Sequence, residues 1–221
     1  MNVLVFSGTT GYRHDSIPAG VRTLRHLGVA NGLGITATED LDHFTTAGLR
    51  GYAAVVFLNT SGDLFAEAHR TAFADYLHRG GGFVGVHCAA HTETRWPDYA
   101  AVVGARFTDH PAIQPATLRV QDHAHPATAH LGRDWYRTDE WYNFDHGPVG
   151  PARILLSVDE SSYTGGTMPD GHPIAWCYEP RPGLHGGRAF YTALGHTIEG
   201  YAEPAMQAHL LGAVAWATGI A

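Results

Sequence analysis

Gly80-Gly81-Gly82-Phe83-Val84-Gly85-Val86-His87-Cys88-Ala89-Ala90-His91 decides how this chain is built. A short β-rich run ends at a histidine with small residues on both sides, the composition of a tight turn at the end of a strand. Such a turn presents one side chain at the top of a sheet, the geometry of a nucleophile elbow. Here the presented side chain is His87, and an imidazole suits proton transfer or metal binding better than acyl chemistry. Gly85 removes bulk below it and allows another group to approach. Cys88 is the tempting nucleophile, but the residue one place beyond an elbow points elsewhere.

Before this stretch, residues 3–6, 35–38 and 53–58 read as strands, the last ending in Asn59-Thr60-Ser61-Gly62. A helix from Ser16, its expected cap, runs to about Leu27, with Pro18 in the first turn. A second covers 65–77, where Phe65, Ala72, Phe73, Tyr76 and Leu77 form an apolar stripe that Gly80 ends. The alternation predicts a parallel sheet with helices on both faces, which binds ligands beyond the carboxyl ends of its strands. The second half is richer in strands: 117–121, 135–144, 153–158, 174–178 and 188–194, separated by Gly/Pro-rich turns. A last helix over 203–217 places Met206, Leu210, Ala213, Val214 and Ala217 on one face. No repeat or linker interrupts the pattern, so one domain over 1–221 is expected; the placement of Phe107-Thr108-Asp109-His110-Pro111 does not follow from it.

Composition narrows the partners. With 44% hydrophobic and 16% charged residues, 221 residues suffice for a core without disulfides or structural metal. A net charge of -7 and no Lys/Arg cluster argue against nucleic acid or an anionic membrane as partner. Two cysteines, Cys88 and Cys177, give no disulfide framework. The opening Met1-Asn2-Val3-Leu4-Val5-Phe6 has no basic n-region, Gly8 cuts its apolar run short, and no span reaches membrane-helix length. A soluble, cytoplasmic protein is expected. Histidine is the outlier at 16, with His26, His69 and His78 read as surface residues on helices.

Polar residues recur where strands end. Tyr12-Arg13-His14-Asp15, His87 and Gly195-His196-Thr197 all follow expected strands of the main sheet, so they should gather at one edge. His14 precedes a helix N-terminus, beside Arg13, a setting that favours an electron-rich ligand group. His196 follows a glycine that frees its ring from the sheet. Asp139 and Glu140 are adjacent in an expected strand, so they face opposite ways. Asp139 would share a face with Arg137, its natural partner, leaving Glu140 for the site among Tyr136, Tyr142 and Phe144. Tyr12, Trp141, Tyr142, Trp96, Trp135 and Tyr136 offer faces for sugar C–H surfaces, although aromatics also fill cores.

These segments together resemble the ThuA-like (trehalose utilisation) family. The resemblance runs through Arg13-His14-Asp15-Ser16-Ile17-Pro18, Gly80 to His87, Trp96-Pro97, Gly104, Phe107, His110-Pro111 and His125-Pro126. It continues in Asp139 to Phe144, Pro173-Ile174-Ala175-Trp176, Gly187-Arg188 and Gly195-His196-Thr197. It implies a fold like that of the class I glutamine amidotransferases: a flavodoxin-like, mostly parallel α/β sheet flanked by helices. In those enzymes the elbow carries cysteine, and a histidine with a nearby glutamate follows a later strand. Here His87 takes the elbow, His196 matches the later histidine, and Ile198 stands where the carboxylate is expected, with Glu199 one place on. The triad is broken twice, so glutaminase activity is not expected.

The resemblance implies sugar chemistry instead, on a 3-keto derivative of a disaccharide or glycoside made by a partner dehydrogenase. In the acid–base version Glu140 or His87 takes the proton at C2, His196 protonates the leaving oxygen, and Arg13 or His14 polarises the ketone. In the alternative, His87, Glu140 and His196 hold Zn²⁺ or Mn²⁺. Tyr12, Arg13, His110, Trp141 and Tyr142 are the expected substrate contacts. Two further readings stand beside this one: a non-catalytic sugar-binding or regulatory protein, and a flavodoxin-type protein whose Ser7-Gly8-Thr9-Thr10-Gly11 cradles a flavin phosphate. The last motif lacks a clean helix start, so no nucleotide or flavin is expected; a homo-oligomer is left open.

Overall fold

The computed structural model describes residues 1–169 and 171–220. Its first half runs β1 (Asn2–Phe6), α1 (Ile17–Ala30), β2 (Gly34–Thr38), α2 (Thr46–Leu49), β3 (Ala54–Leu58), α3 (Glu67–His78), β4 (Gly82–Val86) and α4 (Pro97–Val103). The second half adds β5 (Phe107–Asp109), β6 (Gln114–Val120), β7 (Asp134–Asp139), β8 (Asn143–Phe144), β9 (Arg153–Val158), β10 (Pro173–Tyr178), β11 (Ala189–Thr192) and α5 (Pro204–Ala217).

Nine strands form one sheet in the order β2-β1-β3-β4-β11-β10-β9-β6-β7. The five from β2 to β11 are mutually parallel. β3 and β4 are buried at every position, as continuous apolar strands covered on both faces must be. The expected α/β sheet flanked by helices is therefore present. The β-rich half extends it through antiparallel pairs from β11 to β7, and β5 pairs with β8 in a separate two-stranded sheet. That small sheet is where the unplaced segment around Phe107 belongs.

The core is aromatic on the α3 side, where Phe6, Phe44, Phe57, Phe65 and Phe73 meet at centroid distances of 4.6–6.3 Å. On the other face α5 buries Met206, Leu210, Ala213, Val214 and Ala217, the expected stripe, and also His209. His209 is satisfied there by the Ala127 carbonyl at 2.8 Å and Thr192 Oγ1 at 3.2 Å.

Two local expectations need correction. The run 135–144 is not one strand: β7 stops at Asp139, and residues 140–142 are irregular before β8. Simple alternation fails there, because Tyr136 is 73% exposed while Glu140, Trp141 and Tyr142 are all buried. Ser16 does sit at the N-cap of α1, but its hydroxyl makes no cap hydrogen bond. It donates instead to the Gly195 carbonyl at 3.1 Å.

Candidate active site

The elbow forms as the sequence predicts. β4 ends at Val86 and a 3₁₀ turn begins at His87, whose φ of 51° lies in the left-handed region. A non-glycine residue there costs of order 1–3 kcal/mol and persists only where its surroundings hold it. Two contacts do so: Tyr191 donates its hydroxyl to the His87 carbonyl at 2.8 Å, and His87 Nδ1 lies 2.6 Å from the Ala193 carbonyl. Gly85 makes room for the first, since a Cβ there would stand 3.0 Å from the Tyr191 ring.

Because Nδ1 faces a carbonyl oxygen, it must carry the proton, and the lone pair of the neutral ring belongs to Nε2. Nε2 points at Glu140 Oε2, 3.3 Å away, and at His196 Nδ1, also 3.3 Å away. His196 Nδ1 in turn lies 3.1 Å from the same Glu140 oxygen. His14 completes the group, with its ring 4.8 Å from that of His87 and 5.0 Å from that of His196, edge to face in both cases. One ligand atom from each of His14, His87, Glu140 and His196 lies within 4.8 Å of the other three.

Three of these residues leave the carboxyl ends of parallel strands: His14 follows β1, His87 follows β4 and His196 follows β11. The fourth comes from the far edge of the sheet, where Glu140 directly follows β7. The carboxylate expected near Ile198 is therefore supplied by another segment. Ile198 is 48% exposed, and Glu199, which begins a 3₁₀ turn, is exposed as well.

Burial alone would raise the Glu140 carboxyl, but the imidazoles of His196 and His87 that face it hold it below the usual carboxylate range. Burial pushes His14 down to about 3, aided by repulsion from His87 and His196, so its ring is neutral and its buried Nδ1 has no partner. Burial also works against protonated His196, yet the hydrogen bond and charge of Glu140 prevail and raise it. Burial raises the Cys88 thiol to about 11, leaving it protonated at neutral pH and unsuited to attack.

The remaining expected contacts divide. His110 is at the site: its Nδ1 lies 3.1 Å from Glu140 Oε1, and the residue is exposed. Tyr142 stacks on His87 at 4.1 Å, and 64%-exposed Tyr12 sits edge-on to His14 at 4.8 Å. Arg13 is held in a bidentate pair with Glu39 at 2.7 and 3.0 Å. Trp141 is fully buried, with its indole N–H on the Gln114 carbonyl at 2.9 Å and its ring against Tyr163. Trp96 and Trp135 pack against core rings, and Tyr136 lies on edge strand β7. Sequence reasoning missed Asn59, whose amide donates to Ser16 Oγ and the Gly195 carbonyl at 2.9 and 3.1 Å. A polar Asn-Thr-Ser run closing the apolar strand β3 was its only signal.

The fold is that of an amidotransferase-like α/β protein, with His87 at the elbow and His14, Glu140 and His196 gathered around it. The family model described as trehalose utilisation matches residues 2–217, and the chain belongs to this ThuA family, placing it among carbohydrate-related proteins. A ThuA-like protein from Bacteroides uniformis shares 24% identity over 98% of this chain and 91% of its own, with a TM-score of 0.81. Another, from Parabacteroides merdae, shares 20% over 99% and 90%, with a TM-score of 0.77. PurLQS from Thermotoga maritima, at 12% identity over 96% and 94% and a TM-score of 0.53, shares the amidotransferase-like fold. No curated protein matches the chain. Among the described residues no helix is long and apolar enough to cross a membrane.

Proposed function

We propose that this chain is an enzyme that cleaves 3-keto glycosides by elimination, using a divalent metal held by His14, His87, Glu140 and His196. The observation that carries the metal is the triangle formed by His87 Nε2, His196 Nδ1 and Glu140 Oε2, with sides of 3.1, 3.3 and 3.3 Å. Hydrogen bonds leave such a triangle incomplete, because the His87 ring with its proton on Nδ1 turns the Nε2 lone pair toward the carboxylate oxygen. A cation at its centre satisfies all three atoms. Ligands bound to zinc at 2.0–2.1 Å in a tetrahedron stand about 3.3 Å apart, close to these separations. Three imidazoles and a carboxylate suit Zn²⁺ or Mn²⁺, and the unpartnered buried Nδ1 of His14 fits a ring positioned for a ligand not made of protein.

When bound, the metal supplies Lewis-acid polarisation of the substrate ketone. A ketone at C3 acidifies the C2 hydrogen. Loss of that proton lets the C2 electron pair form the C1=C2 bond while the C1–oxygen bond breaks, and the departing oxygen takes up a proton. With four side chains engaged as ligands, the exposed His110 is the available base. Its Nδ1 faces two acceptors, Glu140 Oε1 at 3.1 Å and the Pro111 carbonyl at 2.9 Å, so Nδ1 carries the proton and Nε2 is left free to accept. Tyr12 and Tyr142 offer faces to the sugar. The substrate requires an upstream dehydrogenase that oxidises a glycoside at C3.

Incubation with 3-keto-trehalose, with and without added Zn²⁺ or Mn²⁺, tests the reading. Release of free glucose together with an unsaturated keto sugar supports it. Measurable binding of an unchanged ligand under both conditions supports instead a passive sugar-binding protein.

A further inference from the structure

Glu140 and His196 approach each other from opposite parts of the sheet, and one buried carboxylate joins their backbones. Asp139 is fully buried and uses both oxygens. Oδ1 accepts the Glu140 N–H at 3.0 Å and the His196 N–H at 3.1 Å. Oδ2 accepts the Gly195 N–H at 3.1 Å and Arg137 Nη2 at 3.0 Å. Arg137, itself almost fully buried, balances the charge and lies over the Trp135 ring at 4.8 Å. Leaving a buried carboxylate with these partners is tolerable; removing its charge would leave several donors facing an amide.

The turn it grips is pinned from the other side too. The Gly195 carbonyl accepts from Ser16 Oγ, Asn59 Nδ2 and Tyr201 Oη, each at 3.1 Å. Those three are neutral and reach only the carbonyl. Asp139 alone among these contacts joins the His196 turn to the segment carrying Glu140.

We propose that Asp139 is a positioning residue that sets the spacing of Glu140 and His196, and thereby the affinity of the metal site; this rests on the metal reading above. It makes the adjacent carboxylates Asp139 and Glu140 a divided pair, one joining two chain segments and the other facing the ligand. β7 ends at Asp139, opposite Gln114 where β6 begins, and there the Asp139 carboxylate turns back to accept the next residue's N–H.

The test is Asp139→Asn in the full chain, read by Zn²⁺ affinity in competition with a chelator. Loss of a hydrogen-bonding group behind a ligand commonly weakens metal binding 10–100-fold, and a loss in that range is expected. Phe73→Leu, in the aromatic core on α3, serves as a variant that lowers stability without touching the site, and should keep wild-type affinity. Equal affinity in wild type and Asp139→Asn, or an equal loss in Phe73→Leu, overturns the proposal.

A second readout needs no metal. In Asp139→Asn the backbone amide resonances of Glu140, Gly195 and His196 and the ring resonances of His196 should all shift, whereas unchanged resonances overturn the proposal. Wild-type protein that binds no Zn²⁺ while these resonances shift would refute the metal reading and keep Asp139 as the link between the two segments. Should Asp139→Asn fail to fold, hydrogen exchange on the wild type decides. The three amides should be protected together, and fast exchange at Gly195 and His196 overturns the link.

Discussion

His87 Nε2 lies 3.3 Å from His196 Nδ1 across 109 residues of sequence, and both nitrogens face the same oxygen of Glu140. The backbone contacts around them explain the convergence. His87 is tied to Ala193, and the residues following Ala193 carry His196. The elbow and the later histidine are therefore parts of one hydrogen-bonded unit.

His196→Ala is expected to abolish turnover while leaving thermal stability within a few degrees of wild type, because the side chain is partly exposed and its removal opens no sealed cavity. Turnover assays and thermal melts on the same preparation check this. A collapse of the fold would mark His196 as structural.

Cys88→Ser should keep most activity. The thiol is buried and protonated, and it lies beside the elbow position instead of on it. Complete loss of turnover in a folded variant would revive a nucleophilic thiol.

Gly195→Ala should damage both stability and activity. Gly195 has a φ of 122°, and a Cβ there would stand 2.7 Å from the Tyr201 hydroxyl, which bonds the Gly195 carbonyl. A cost of about 1–3 kcal/mol is expected from backbone strain alone, measurable by urea unfolding. A neutral substitution would show that the turn is not under this constraint.

Stability should fall on acidification, starting near pH 6.5. Burial lowers His209 to about 3 and His125 to about 4, so both stay neutral in the folded protein while the unfolded chain binds protons below pH 6.5. The stability they contribute is complete above that pH and is lost as pH falls toward 4. Each histidine adds about 1.4 kcal/mol of loss per pH unit within the window. His209→Gln should flatten the slope by that amount in denaturant titrations at pH 7, 6 and 5. An unchanged slope would contradict the assignment.

Much of this was legible in the sequence, for physical reasons that differ by segment. The parallel half was readable because buried strands such as β3 and β4 are continuous apolar runs bounded by glycines and helix stripes. The meeting of His14, His87 and His196 followed, since all three leave carboxyl ends of that sheet. Glu140 and not Asp139 lies beside the histidines, and the alternation that the sequence suggests is not what puts it there. What chose between them was Asp139's capture by Arg137 and by the backbone of Gly195 and His196, and only the Arg137 contact is local. Arg13 and Trp141 were placed by neighbours distant in sequence, Glu39 and Gln114, which no local pattern reveals.

The central claim is tested most directly by metal content. Protein purified without chelators should carry about one Zn²⁺ or Mn²⁺ per chain by mass spectrometry of the element, and His87→Ala prepared identically should carry almost none. Wild-type protein that is metal-free, takes up neither ion on addition and yet turns over 3-keto-trehalose would contradict the account.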